Sequence, residues 1–367
     1  MAAPAAAQAV RGTVVGTDGV PVPGMMVLLL DDRGVRHDAS LSDRAGRFSV
    51  SAHHAGAFVL RAERVGYAAT TSPLLHLAEG QTVEHRLTVN SSRIALPPIT
   101  ATGRQRDCTI RPRNGELTGL LWEEARKALA SAALASQQAR FQYVARLHRR
   151  RLRMSDMTAM YEDAETVVSE GKHPFLSAPI ARLAANGWVE PDGDSLLFHA
   201  PDAITLLSDG FLDHHCFRAI EGSGETEGLV GLEFAPVRSR VLPDVRGVLW
   251  LERATAHLRY LEYRYTGLDY QGRMDRLGGR VTFHALEGGP WIVSEWYIRM
   301  PALALDGEVL DTRQVPRIVA LIERGGTLLG VRPDVGGPDA PGEIIPVPRT
   351  PSPWTTVRTL SMIPRDR

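Results

Sequence analysis

Apolar residues in this chain recur at every second position, in short runs cut off by turn residues, and that period fits β-strands and little else. The clearest stretch is Ser42-Asp43-Arg44-Ala45-Gly46, followed by Arg47-Phe48-Ser49-Val50, then Gly56-Ala57-Phe58-Val59-Leu60-Arg61-Ala62-Glu63 and Gly66-Tyr67. Asp43 can bond its own backbone and Gly46 is free to take positive φ, so the first piece is a turn. Phe48 and Val50 alternate with Arg47 and Ser49, and Phe58 and Leu60 with Val59 and Arg61, so each strand offers one core face. Nothing in the stretch is chemically reactive.

The same pattern runs from Val10 to Val89, with strands expected near 10–15, 25–30, 47–51, 57–64 and 82–89. Turn signals separate them, among them Thr17-Asp18-Gly19, Asp31-Asp32-x-Gly34 and Glu79-Gly80. Short, regularly spaced strands of this kind make a small antiparallel sandwich. Pro21 and Pro23 lack ladder donors and belong at a strand edge.

Val10-x-Gly12-x-Val14, Gly19-Val20-Pro21-Val22-Pro23-Gly24 with Val27, Ser42-Asp43-x-x-Gly46-x-Phe48, Gly56-x-Phe58-x-Leu60-x-Ala62 and Gly66-Tyr67 together resemble the carboxypeptidase regulatory-like domain. That family is similar to transthyretin and belongs to the carbohydrate-binding-like sandwiches. The resemblance implies a β-sandwich over residues 10–89 that serves as an accessory module of enzymes, outer-membrane receptors and secreted proteins. It carries over no catalytic residue, because the module has none, and a fold does not name a function.

Residues 90–117 break the pattern and read as a linker, with an extended piece near 94–102. Thr118 is expected to cap a helix reaching Ser136, with Glu123 and Lys127 as an i,i+4 pair and Leu121, Ala125, Leu129 and Ala132 as an apolar stripe. From Phe141 the period returns to two and persists to residue 331, apart from a short helix near 176–186. Residues 118–331 therefore form a helix plus a long antiparallel β domain, a curved sheet or half-open barrel with one or two helices. The whole chain is mainly β.

Residues 247–300 hold nine of the 23 aromatics. Their placement suggests a sheet curled round a cavity, with Trp250, Tyr263, Tyr265, Trp291 and Trp296 as candidate contacts for an apolar or amphipathic ligand. The strand order, with Gly247-Val248-Leu249-Trp250-Leu251 followed by the strand Leu258–Tyr265, is similar to periplasmic lipoprotein carriers of the Lol type. Residues 332–367 hold eight of the 24 prolines and read as an irregular tail.

Charge excludes some partners. Forty-two basic and 42 acidic side chains cancel, so no global field draws the chain to nucleic acid or an anionic membrane. The basic run Arg146, His148, Arg149, Arg150, Arg151 and Arg153 continues an alternating strand and reads as a solvated strand end, paired with Asp156, Glu162 and Asp163. The longest apolar run, Met25 to Leu30, is too short to span a bilayer.

Ala7-Gln8-Ala9 has the small-residue pattern of a signal-peptidase site, so residues 1–9 read as a signal-peptide remnant or a disordered end. Export would permit a disulfide between Cys108 and Cys216, the two cysteines of the chain.

Reactive constellations are scarce. Asp213-His214-His215-Cys216 matches a protein acyltransferase signature without the membrane spans or zinc-binding cysteines those enzymes use. His76-x-x-Glu79 and His284-x-x-Glu287 have the short zinc spacing but lack a third converging ligand. The expectation is an exported protein of the periplasm or outer membrane, not an enzyme, with no cofactor and no metal. It is read first as a binding or carrier module, second as a structural or interaction protein, and third as an unrecognised hydrolase.

Overall fold

The computed structural model describes residues 8–90, 93–97, 109–110, 117–137, 141–170, 173–193, 195–270, 272–304, 316–333 and 344–347. The protein is mainly β, as its period demands. Residues 8–90 supply eight strands: β1 (Gln8–Gly16), β2 (Met26–Asp31), β3 (Arg36–Leu41), β4 (Arg47–Ala52), β5 (Gly56–Glu63), β6 (Thr70–Thr71), β7 (Leu75–Leu77) and β8 (Thr82–Val89). One sheet runs β4-β1-β8 and the other β3-β2-β5-β6, with β7 also on β5. Between them lie Val10, Val14, Val27, Leu29, Phe48, Val50, Phe58, Leu60, Leu87 and Val89. Phe48, Val50, Phe58 and Leu60 thus occupy the face their alternation assigns. One pairing departs from the antiparallel expectation: β1 and β8 run parallel, from Ala9↔Thr82 to Gly16↔Val89. Strand β8 enters beside β1 only after the chain has built the opposite sheet, and a crossover of that kind delivers a parallel neighbour. Gln8 and Ala9 already belong to β1, paired with Ala52 and Ser51; residues 1–7 lie outside the described residues.

The rest is one large curved sheet packed on a long helix, with a separate two-stranded sheet and three short α-helices. After β9 (Thr109–Ile110) come α1 (Leu117–Gln137), β10 (Phe141–Leu152), β11 (Ala159–Glu170), α2 (Ile180–Asn186), β12 (Val189–Asp192), β13 (Ser195–Phe198), α3 (Ala203–Leu206) and α4 (Asp209–His214). The meander β14 (His215–Glu221), β15 (Leu229–Pro236), β16 (Asp244–Glu252), β17 (Leu258–Thr266), β18 (Gly278–Ala285), β19 (Trp291–Ala304) and β20 (Arg317–Pro333) follows, and β21 (Ile345–Pro346) closes the described chain. The large sheet has the order β11-β10-β20-β19-β18-β17-β16-β15-β14-β9, with β21 beside β20, and it does not close into a barrel.

Helix α1 starts at Leu117, so Thr118 lies inside it rather than capping it. The expected stripe of Leu121, Ala125, Leu129 and Ala132 is buried, and so are Glu124, Lys127, Ala128 and Ser131 on other faces. Alanine-rich sides let two layers approach the helix closely, so the sheet covers one side and the sandwich another. Glu123 does not pair with Lys127. Glu123 holds Arg126 and Glu124 holds Lys127, both at i,i+3, because Glu124 and Lys127 face the sandwich.

The period of two read from Phe141 onward is interrupted by helix before His215, where β14 begins. Asp202 accepts from Thr205 N and starts α3, and Ser208 accepts from Phe211 N and starts α4. Side-chain caps of this kind convert short polar–apolar runs to helix, and their spacing was present in the sequence.

Candidate functional site

Four of the five candidate aromatics belong to the filled interior of the curved sheet. Tyr263, Tyr265, Trp291 and Trp296 are buried in the same cluster as Leu121, Ala125 and Leu129 of α1. The Tyr265 hydroxyl donates to the His199 carbonyl at 2.9 Å, and its ring meets Phe198 and Tyr263 edge-on. Trp296 packs on His173 and Phe175, and Trp291 on His257. Trp250 is separate. Its neighbours Leu249 and Leu251 join the interior cluster while it does not, and its ring lies over Gly231 and beside Val248 on the opposite face. Trp250, Tyr263 and Tyr265 border one open surface groove of about 520 Å³ with Glu233, Arg246 and Met274, and Trp291 and Trp296 take no part in it, so the five residues do not line one chamber. The cleft that reaches the interior, between Ala132, Tyr143, His173, Phe175, Ala203 and Val293, encloses about 30 Å³ of free volume, enough for a water or two.

Inside that cleft wall sits His173, 6 % exposed. Its Nε2 lies 2.8 Å from the Val293 carbonyl and its Nδ1 accepts the Phe175 N–H at 3.0 Å. Burial lowers its pKa to about 4, so the ring is neutral and its tautomer is set by these two partners.

Of the histidines named in the sequence, His76 is exposed on β7, and His214 and His215 hold structural contacts. His214 Nδ1 contacts the Gly210 carbonyl, while His215 stacks on Phe211 at 3.9 Å and reaches Asp244 at 3.1 Å. Arg240 holds the same Asp244 and the Leu183 and Ala184 carbonyls, tying α2, α4, β14 and β16 together. Since α4 ends at His214 and β14 starts at His215, the Asp-His-His-Cys run straddles a helix–strand junction and its side chains do not converge. His284 is half-buried on β18, and its pKa is lowered by burial and by Arg259. Among the described residues no three of His, Cys, Asp and Glu are gathered as a metal ion requires.

The basic run on β10 is largely neutralised by its neighbours. Arg150 lies between Glu162 and Glu323, Arg146 is near Glu162, and Arg153 pairs with Asp156. Burial alone would raise the pKa of Glu323. His148, Arg299 and Arg150 overcome that and hold its carboxyl at about 2.

The most elaborate arrangement is one that sequence reading missed: the seam between the sandwich and α1. Glu124 Oε2 accepts the Gly66 N–H at 2.7 Å, and Lys127 Nζ donates to the Tyr67 carbonyl at 2.8 Å and to Glu124 at 2.6 Å. Arg126 bridges Glu63 and Glu123. Gly66 has φ +77°, and a Cβ there would meet the Thr255 carbonyl oxygen at 2.6 Å. Gly24, at φ +68°, is pressed as closely on Gly289. Below these polar contacts, Met26, Leu28, Ala39, Leu41 and Val65 join the cluster of α1 and the large sheet. Strand β2 therefore serves two cores, with Val27 and Leu29 facing the sandwich and Met26 and Leu28 facing the helix. The available signal was the unbroken apolar run Met25–Leu30, which marks a strand covered on both faces. Beside the seam an open groove is lined by Arg36, His37, Arg126, Leu134, Ile204 and Leu207.

Cys216, at the start of β14, is disulfide-bonded. It stands in register with Ile110 of β9; Cys108 lies outside the described residues.

Residues 9–90 match the carboxypeptidase regulatory-like domain family, and this is the family of the N-terminal sandwich. No curated protein matches the chain. Among solved structures the chain is similar to a minor pilin of Streptococcus agalactiae, at 17 % identity over 26 % of this chain and 48 % of that one, with a TM-score of 0.20. It is similar to hydroxyquinol 1,2-dioxygenase from Pseudomonas putida at 10 % identity, 24 % and 57 % coverage and a TM-score of 0.19. It is also similar to the major pilin subunit of Bacillus cereus at 8 % identity, 94 % and 93 % coverage and a TM-score of 0.20. The chain spans about half the length of the minor pilin. Likenesses this slight carry no argument about function, and none of them supports the similarity of the second half to lipoprotein carriers.

Proposed function

We propose that this protein is an exported, non-enzymatic protein of the cell envelope, in the periplasm or at the outer membrane, and that it acts as a rigid two-part scaffold that presents surfaces to partners. The observation carrying this reading is the filled interior: α1 and the aromatics Tyr263, Tyr265, Trp291 and Trp296 occupy the concave side of the sheet, and the cleft that enters it between Ala132, Tyr143, His173 and Val293 encloses about 30 Å³; larger hollows, of about 610 and 520 Å³, are open surface grooves. A carrier of an apolar or amphipathic ligand needs a chamber of roughly 300 Å³ or more. The seam supports the same reading, because buried ion pairs and glycine contacts hold the sandwich against the sheet rather than leaving it on a loose tether. Export is supported by the bonded state of Cys216, since disulfides persist in oxidising compartments.

Native mass spectrometry and organic extraction of the purified protein test the proposal. The expected result is protein without lipid, and a fluorescent-lipid titration without saturable binding. Stoichiometric co-purifying lipid would restore the carrier reading in its place.

A further inference from the structure

The two ends of the large sheet are finished differently. At one end β14 is covered by β9, which lies in register with Cys216 and Phe217, and Cys216 is disulfide-bonded. At the other end β11 is the terminal strand. It is 12 residues long and pairs with β10 from Gln142↔Glu170 to Leu152↔Ala159. Over 159–168 its outer side meets no other strand among the described residues. An edge of that length presents a row of unpaired N–H and C=O groups, which is a template for another strand.

We propose that the free edge of β11 docks an extended, basic segment of a partner protein by strand addition. The idea rests on the scaffold reading above and names the partner class for it. Charge sets the choice of partner. Asp163 and Glu165 are exposed and two residues apart on one face, and Glu162, on the other face, is held by Arg150. An added strand with lysine or arginine at alternate positions would place cations opposite Asp163 and Glu165, the favourable cross-strand arrangement. Apolar side chains complete the surface: Met160 is 44 % exposed, Tyr161 59 % and Val168 61 %, and such positions give alternate-side-chain contacts to an added strand. In the antiparallel β11–β11 register centred on Ala164 the same carboxylates would act against a second copy of this chain, because Asp163 and Glu165 then face one another.

The test is fluorescence anisotropy with the full chain and a synthetic peptide alternating lysine and valine over the length of β11, alongside amide hydrogen exchange of β11. The expected result is saturable, salt-sensitive binding with new protection at β11 amides. The version with glutamate in place of lysine should not bind. The variant Asp163→Lys/Glu165→Lys, altered only at exposed positions, should bind the lysine peptide about tenfold more weakly, as each exposed charge contact contributes a factor of a few. Its circular dichroism and melting temperature should match the parent, which separates lost docking from lost folding. Binding without β11 protection would overturn the proposal as mere electrostatic adsorption, and so would no binding at all. Dimerisation through β11 would assign the edge to a second copy. Protection of all β11 amides in the isolated monomer would assign it to the chain itself. Either result would replace the basic partner. Lipid in the purified protein would refute the scaffold reading while leaving the peptide measurement intact, so the two ideas fail separately.

Discussion

Acidification should loosen this protein through one buried imidazole. His173 is enclosed by Tyr143, Phe175 and Trp296, donates from Nε2 to the Val293 carbonyl and accepts the Phe175 N–H. Burial brings its pKa from 6.5 to about 4. The folded state therefore favours the neutral ring, and between these two values the unfolded chain binds the extra proton. Its contribution to stability is complete above about pH 6.5 and disappears as the pH falls toward 4. A shift of that size corresponds to about 3.4 kcal/mol at most, of which about 2.5 kcal/mol is lost between about pH 7.5 and about pH 4.5.

Urea unfolding of the parent and of His173→Gln across that window measures the effect. Glutamine keeps a donor and an acceptor but does not titrate. The variant is expected to be less stable at neutral pH, by about 1–3 kcal/mol for a disturbed buried hydrogen-bonding group. Its stability should fall less on acidification, with the gap between the two proteins closing by about 2.5 kcal/mol. His257 and His284, whose pKa values burial also lowers, are common to both proteins and cancel in the comparison. Parallel pH profiles, agreeing to within about 0.5 kcal/mol, would refute the account of His173 as a buried neutral ring.

Two further outcomes are expected. Lys127→Met leaves Glu124 buried without its cation and should cost about 3–5 kcal/mol in denaturant unfolding. Lys127→Met/Glu124→Gln should recover part of that loss, and if the double variant is no more stable than the single one, the pair is not coupled. Non-reducing peptide mapping of native exported protein should recover Cys108 linked to Cys216, a bond that closes a long loop and contributes about 4 kcal/mol in the chain-entropy treatment; two alkylatable thiols would remove the disulfide from the account.

The strands were legible because alternation is a local property. Phe48, Val50, Phe58 and Leu60 declare a common face whatever lies against it, and the turn residues between strands declare where pairing stops. The aromatic crowding of residues 247–300 was equally visible, but it read as the wall of a cavity. A tyrosine or tryptophan on an inward face looks the same whether it borders empty space or another side chain. Only the position of α1 inside the curve distinguishes the two. The short helices α3 and α4 escaped notice because their capping residues, Asp202 and Ser208, sit in a run whose apolar spacing also suits a strand.

By itself the sequence determined a mainly β chain, an N-terminal sandwich of recognisable family and one amphipathic helix. The tertiary structure decided that Met26 and Leu28 serve a second core, that Glu124 and Lys127 face the sandwich rather than water, and that among the described residues β9 pairs with Cys216 and Phe217 at one end of the large sheet while β11 has no strand beyond it at the other. The division has a physical cause. Side-chain period specifies which residues share a face, since that follows from backbone geometry over a few residues. What covers the face depends on contacts between segments far apart in the chain, such as Gly66 with Glu124 and Thr255, and local pattern holds no record of them.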